Sequence, residues 1–84
     1  MDIEEKNILK LIKAAGYNVT KDSMGTYFDN DKRKFSIIKI GHIYNCYLNE
    51  KQDGKYILRD TYNSQILLKQ CLYWIINNID KKFV

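Results

Sequence analysis

Apolar residues recur with helical spacing near both ends of the chain and alternate with polar residues in its middle. Near the start, Asp2 and Glu5 are spaced as a capping box, and Gly16 offers a C-terminal stop. The pattern predicts a first helix over residues 3–15. The predicted apolar side of this helix comprises Ile8, Leu11, Ile12 and Ala15.

The stretch that follows has the alternation typical of strands. Tyr17 and Val19 alternate with polar neighbours, and turn-forming residues at 22–25 precede a second short run at 26–28. We therefore expect a first hairpin, followed by a polar surface loop at 30–34.

Gly41 and His42 separate two apolar-rich runs at 35–40 and 43–48. A glycine that opens a two-residue turn favours a type II′ hairpin, which would pair Ile40 with Ile43. An uninterrupted strand bent at Gly41 is the competing interpretation. In the hairpin register one face carries Phe35, Ile37, Cys46 and Leu48 with Lys39 and Tyr44 at its end, and the other carries Ser36, Ile38, Ile40, Ile43, Asn45 and Tyr47.

Asp53 and Gly54 form a further hairpin signal, which leads into a strand at 56–58. Residues 60–64 offer several helix caps, and the pattern from 65 to about 80 predicts a second helix. The central apolar stripe of this helix comprises Leu68, Leu72, Ile75 and Ile79. It is widened on its flanks by Ile66, Leu67, Cys71, Trp74 and Ile76.

The order of these elements predicts an α+β, two-layer fold. An N-terminal helix precedes a four- to five-stranded antiparallel sheet, and a long C-terminal helix packs on that sheet. With 84 residues, 45% hydrophobic and 29% charged, the chain is expected to form a single α+β domain over residues 1–84. We expect one core between the sheet and the second helix, made by Ile37, Leu48, Leu68, Leu72 and Ile75.

The composition indicates the cellular compartment and the kind of genome from which the chain comes. Two cysteines are too few for a disulfide scaffold, and no run approaches the roughly 20 apolar residues of a membrane span. We expect a reduced, cytoplasmic protein with no membrane partner. Heavy use of Lys, Ile, Asn and Tyr without proline is typical of an AT-rich genome, which suggests a low-GC bacterium or its phage.

The residue pattern contains no motif for catalysis, so we expect no enzyme activity and no cofactor. His42 is the only histidine, and with Cys46 and Cys71 it would supply three ligands without the closely spaced pairs typical of zinc sites. No serine lies in a recognisable nucleophile motif. Both cysteines are expected to be buried, small apolar residues.

Seven tyrosines are many for a chain of 84 residues, and tyrosine is enriched at protein interfaces. The face with Ile38, Ile40, Ile43 and Tyr47 would form an apolar patch unless the first helix covers it. We therefore expect a non-enzymatic protein-binding protein, such as an inhibitor of a host enzyme or a neutraliser of a toxin, and a homodimer is a further candidate assembly. The residues expected to contact a protein partner are Ile38, Ile43, Tyr44 and Tyr47.

The basic residues favour an alternative function. The formal net charge is +4, and clustered cations beside tyrosine rings are suited to RNA or single-stranded DNA. Scarce arginine and the absence of known RNA-binding motifs weigh against this alternative. The candidate nucleic-acid-binding residues are Lys32, Arg33 and Lys34 in one cluster and Lys6, Lys10 and Lys13 along the first helix.

Overall fold

A computed structural model describes residues 2–64 and 67–83. The strands form a single five-stranded antiparallel sheet in which neighbours in sequence are neighbours in space. The predicted α+β fold is confirmed. The elements are α1 (Ile3–Ala14), β1 (Asn18–Lys21), β2 (Gly25–Asp29), β3 (Arg33–Ile40), β4 (Ile43–Gln52), β5 (Lys55–Ser64) and α2 (Leu68–Asn78).

Helix α1 begins at the predicted capping box. The Glu5 amide donates to Asp2 Oδ1 at 2.8 Å, and the Asp2 amide donates to Glu5 Oε1 at 3.1 Å. These two bonds satisfy amides that the first turn leaves without helical partners. Ile8 and Ile12 are buried, whereas Leu11 is 59% exposed. The buried side of α1 is therefore narrower than its apolar pattern predicts.

The hairpin between β3 and β4 has the predicted register. Ile40 pairs with Ile43 and Lys39 with Tyr44. Gly41 has a φ of +62°, whereas His42 does not have a positive φ, as a type II′ turn requires. An uninterrupted strand through Gly41 is the wrong interpretation.

Strand β5 is longer than its sequence predicts. Leu48 pairs with Asp60 and Asn49 with Leu58, which leaves Arg59 as a bulge and lets the strand continue to Ser64. The prediction that residues 60–64 cap a helix is wrong, because they pair with β4. Of the predicted helix over 65–80, Gln65 and Ile66 lie outside the described residues, and α2 spans Leu68–Asn78.

Both helices pack on the same face of the sheet. Ile8 and Ile12 of α1 join Leu72 and Ile75 of α2 in one core with the sheet. Ile37, Leu48, Leu72 and Ile75 are buried and Leu68 packs against them, so the expected core is confirmed. The other buried hydrophobic residues are Tyr17, Phe28, Phe35, Cys46 and Cys71. In the described ranges neither helix is long and apolar enough to cross a membrane.

Candidate functional site

The second face of the sheet carries no helix in the described part of the chain, and we call it the open face. Side chains alternate along each strand, so the residues of β2 to β5 that lie between the core-facing positions point to this side. From the cross-strand pairs, the open face comprises Tyr27, Asp29, Lys34, Ser36, Ile38, Ile40, Ile43, Asn45, Tyr47, Asn49, Lys51, Tyr56, Leu58, Thr61 and Asn63.

The centre of the open face is a row of three paired residues. Tyr27 on β2 and Tyr47 on β4 are both cross-strand partners of Ser36 on β3. Ser36 is only 7% exposed, although its side of the sheet has no covering helix. Directly opposed side chains lie close enough to touch, so the two rings shield the serine between them. The row forms a tyrosine platform across three strands.

Apolar side chains extend from this platform towards both ends of the sheet. At the β3–β4 turn, Ile40 is 63% exposed and its partner Ile43 is 41% exposed. At the opposite end, Tyr56 and Leu58 of the edge strand β5 are also exposed. Leu58 shares its cross-strand row with Asn49 and the charged Lys34. Exposed apolar side chains grouped beside aromatic rings are typical of an interaction site.

Three of the four predicted protein-binding residues share the open face. Ile38, Ile43 and Tyr47 lie on it, whereas Tyr44 lies on the core side, half-buried with the Lys39 ammonium 5.4 Å from its ring centre. This placement follows from strand alternation, because Tyr44 is an odd number of residues from both Ile43 and Tyr47. The predicted protein-binding residues did not include Tyr27, because its place on the open face depends on the pairing of β2 with β3.

Polar contacts fix the ring of Tyr27. Its hydroxyl donates to Asp22 Oδ1 at 3.1 Å, and the Lys34 ammonium lies 5.1 Å from the ring centre. Loss of solvation, followed by the hydrogen bond to Asp22, raises the pKa of the Tyr27 hydroxyl. The ring is thus held as a neutral phenol with one face towards a cation.

The structure separates the six basic residues proposed for nucleic-acid binding. Lys34 is on the open face with Tyr27, while Lys32 is exposed in the preceding turn. Arg33 points to the core side and binds the end of α2. The remaining three, Lys6, Lys10 and Lys13, are exposed on α1, on the far side of the sheet from Lys34.

The candidate metal ligands do not converge. His42 is exposed at the tip of the β3–β4 hairpin, whereas Cys46 and Cys71 are fully buried in the core. The hydrogen bond between the two thiols, together with burial, raises the pKa of Cys46. Across residues 2–64 and 67–83, no group of three or more His, Cys, Asp and Glu side chains is placed to hold a metal ion.

Comparison of the chain with protein-family models, curated proteins and solved structures yields no match. The open face and the basic residues are therefore judged on their own geometry.

Proposed function

We propose that the chain is a non-enzymatic protein-binding protein that uses the open face of its sheet. The observation that carries this proposal is that both helices lie on one face, while the other presents a tyrosine platform with exposed isoleucines beside it. Burial of these apolar groups against a partner would remove them from water and supply the binding energy.

The chemistry of the open face supports a protein partner. Tyr47 has a large apolar ring and a polar hydroxyl, the combination that recurs among residues that dominate binding energy. Ile38 and Ile43 flank it on β3 and β4 and add apolar area without charge. Asn45 and Thr61 supply neutral hydrogen-bonding groups close to the same residues, as the polar rim of an interface does.

The proposed partner class is a host enzyme or a toxin, which the chain would inhibit or neutralise by covering its surface. A small domain with a preformed sheet loses little conformational freedom on docking, which favours tight association. Small phage or mobile-element genes encode proteins of this kind, and the small size of the chain and its many tyrosines support this class of partner. A second copy of the chain is the alternative protein occupant.

Nucleic-acid binding is the second candidate, and the Lys34–Tyr27 contact on the open face favours it. A cation beside an exposed ring is suited to a phosphate and a stacked base. The lysines on α1 are on the other side of the sheet and would not contact the same strand. Because phosphate contacts weaken steeply with salt, binding that survives moderate salt favours a protein partner.

Site-specific photocrosslinking tests the proposal. A benzophenone amino acid is placed at Tyr47 on the open face or at Lys10 on α1, and each variant is irradiated in lysate of the host cell. We expect a defined protein adduct from position 47 that position 10 does not give. Equal adducts from both positions, or an adduct with RNA or DNA only, would contradict the proposal, and a dimer of the chain would identify a second copy as the partner.

A further inference from the structure

A pocket of about 280 Å³ opens between α2 and strand β5, on the opposite side of the sheet from the open face. The four helical residues are spaced at i, i+3, i+4 and i+7, so they line one side of α2. Strand β5 supplies the remaining residue. The pocket is lined by Tyr62, Gln70, Tyr73, Trp74 and Asn77, which are three aromatic residues and two primary amides.

The aromatic floor of the pocket is fixed by the core. The Trp74 ring stacks on the Tyr62 ring with their centres 5.9 Å apart and an angle of 14° between the planes. The edge-to-face contact of Trp74 with the buried ring of Phe35, at 5.8 Å and 88°, anchors it from behind. Such contacts stabilise ring orientation, so the floor is a preformed aromatic surface.

The polar rim is also held in place. Ser64 Oγ donates to Gln70 Oε1 at 2.6 Å, which orients the amide and directs its NH2 group away from Ser64. The Tyr73 hydroxyl donates to Glu4 Oε1, and the same Glu4 carboxylate binds the Lys69 ammonium. A site whose side chains are already oriented spends little of its binding energy on ordering them.

We propose that this pocket binds a neutral sugar ring. The C–H face of a pyranose is apolar and flat enough to pack against the part of the Tyr62–Trp74 stack that lines the pocket. Its hydroxyl groups both donate and accept hydrogen bonds, as do the amides of Gln70 and Asn77. At about 280 Å³ the pocket lies just below the roughly 300–1,000 Å³ range of ligand sites, which suits a single ring.

Two other occupants that favour aromatic sites fit this geometry less well. A quaternary ammonium group needs rings that surround it, whereas Tyr62 and Trp74 stack on each other with nearly parallel planes and form no cage. A proline-rich peptide inserts its rings between aromatic ridges, and the 5.9 Å between these two ring centres leaves no slot. The lining residues are also uncharged, which favours a neutral ligand.

Trp74 is the only tryptophan of the chain, so tryptophan fluorescence reports on the floor of this pocket. The full chain is titrated with the methyl glycosides of glucose, galactose, mannose and N-acetylglucosamine to about 50 mM, which detects millimolar dissociation constants. Choline and a polyproline peptide are titrated in parallel. We expect a saturable change in emission with at least one glycoside and with neither of the other probes.

Asn77→Ala removes one rim amide from the exposed surface of α2, and Asn7→Ala on the exposed surface of α1 is the matched control. We expect Asn77→Ala to weaken glycoside binding about fivefold, as the loss of one hydrogen bond does, and Asn7→Ala to leave it unchanged. Circular dichroism checks that both variants fold. No saturable response to any glycoside, an undiminished response in Asn77→Ala, or a response only to choline or polyproline would overturn the proposal.

Discussion

Arg33 and Asn78 are 45 residues apart in sequence, yet Arg33 Nη1 donates a hydrogen bond to the main-chain oxygen of Asn78 at 3.0 Å. The same nitrogen reaches the Ile79 oxygen at 2.9 Å, and Nη2 donates to the Lys81 oxygen. The last carbonyls of a helix have no helical partners and carry the negative end of its dipole. Arg33 therefore caps α2 from β3.

Arg33→Lys should destabilise the fold, because a lysine has one ammonium group and cannot reproduce the guanidinium fork. We expect the free energy of unfolding to fall by about 1.5–3 kcal/mol, the range for hydrogen bonds to charged groups. Lys32→Ala, in the exposed position beside it, should change it by less than about 0.5 kcal/mol. Urea denaturation measures both variants, and equal unfolding midpoints would contradict the capping role.

Leu72 and Leu11 both fall on predicted apolar helix faces, but they should respond differently to truncation. Leu72 is 1% exposed between α2 and the sheet, whereas Leu11 is 59% exposed on α1. Leu72→Ala leaves a cavity and should lower the free energy of unfolding by about 2–5 kcal/mol. Leu11→Ala should change it by less than about 0.5 kcal/mol. A denaturant midpoint for Leu72→Ala close to that of the unmodified protein would contradict the packing of α2.

Leu72 and Leu11 show that the sequence pattern predicts which side of a helix is apolar but not how much of that side is buried. Helical spacing identified α2 as the main core element, and the Gly41 turn set the β3–β4 register and with it the open face. The same spacing cannot show how much of the apolar arc of α1 is covered, because coverage depends on where the helix crosses the sheet. The exposure of Leu11 is the result.

Two other features escaped prediction for separate physical reasons. Residues 60–64 contain Asp, Thr, Asn and Ser, which favour helix caps, but the bulge at Arg59 keeps them paired with β4. Arg33 was assigned to a basic cluster because its neighbours are lysines. Its guanidinium binds main-chain oxygens near the other end of the chain. Such contacts cannot be predicted from the pattern of side chains along the sequence.

Gly25 should not tolerate a side chain. A Cβ atom at this position would lie 2.2 Å from the main-chain oxygen of Ile37 on the neighbouring strand. Gly25→Ala must therefore displace β2 from β3, and we expect a loss of about 1–3 kcal/mol, as for overpacked sites. Ser23→Ala in the adjoining turn serves as the control. Thermal unfolding compares the variants, and an unchanged melting temperature for Gly25→Ala would show that the strands are not so close.

Lys69 connects the two helices in a way that depends on pH. Its ammonium lies 2.9 Å from Asp2 Oδ2 and 2.8 Å from Glu4 Oε2. The hydrogen bond from Lys69 lowers the pKa of Glu4, and the Glu5 amide followed by Lys69 lowers the pKa of Asp2. The ordinary pKa values are 4.5 for Glu4 and 3.8 for Asp2. Because the folded state lowers both pKa values, the two carboxylates stabilise the fold at a pH above these values, and the stabilisation is lost as the pH falls through the lowered pKa values.

Lys69→Met should therefore reduce stability at neutral pH, with a difference that disappears under acid conditions. Lys10→Met, on the exposed side of α1, should have little effect at either pH. Urea denaturation at about pH 7 and about pH 2 measures the difference on both sides of the carboxylate titration. A Lys69→Met effect of equal size at both values would show that the ion pairs do not contribute.

The claim that the open face binds a protein partner is tested most directly by comparing two variants. One is Tyr47→Ala, and the other is the triple variant Lys6→Glu, Lys10→Glu and Lys13→Glu. Calorimetry measures both against the protein crosslinked through position 47, and against mixed oligonucleotides at two salt concentrations. If the open face binds a protein, Tyr47→Ala should weaken binding by about 2 kcal/mol or more, as an aromatic anchor does. The triple variant should then bind almost as tightly as the unmodified chain. Full protein affinity in Tyr47→Ala, or tight, salt-sensitive oligonucleotide binding by the unmodified chain, would contradict this account.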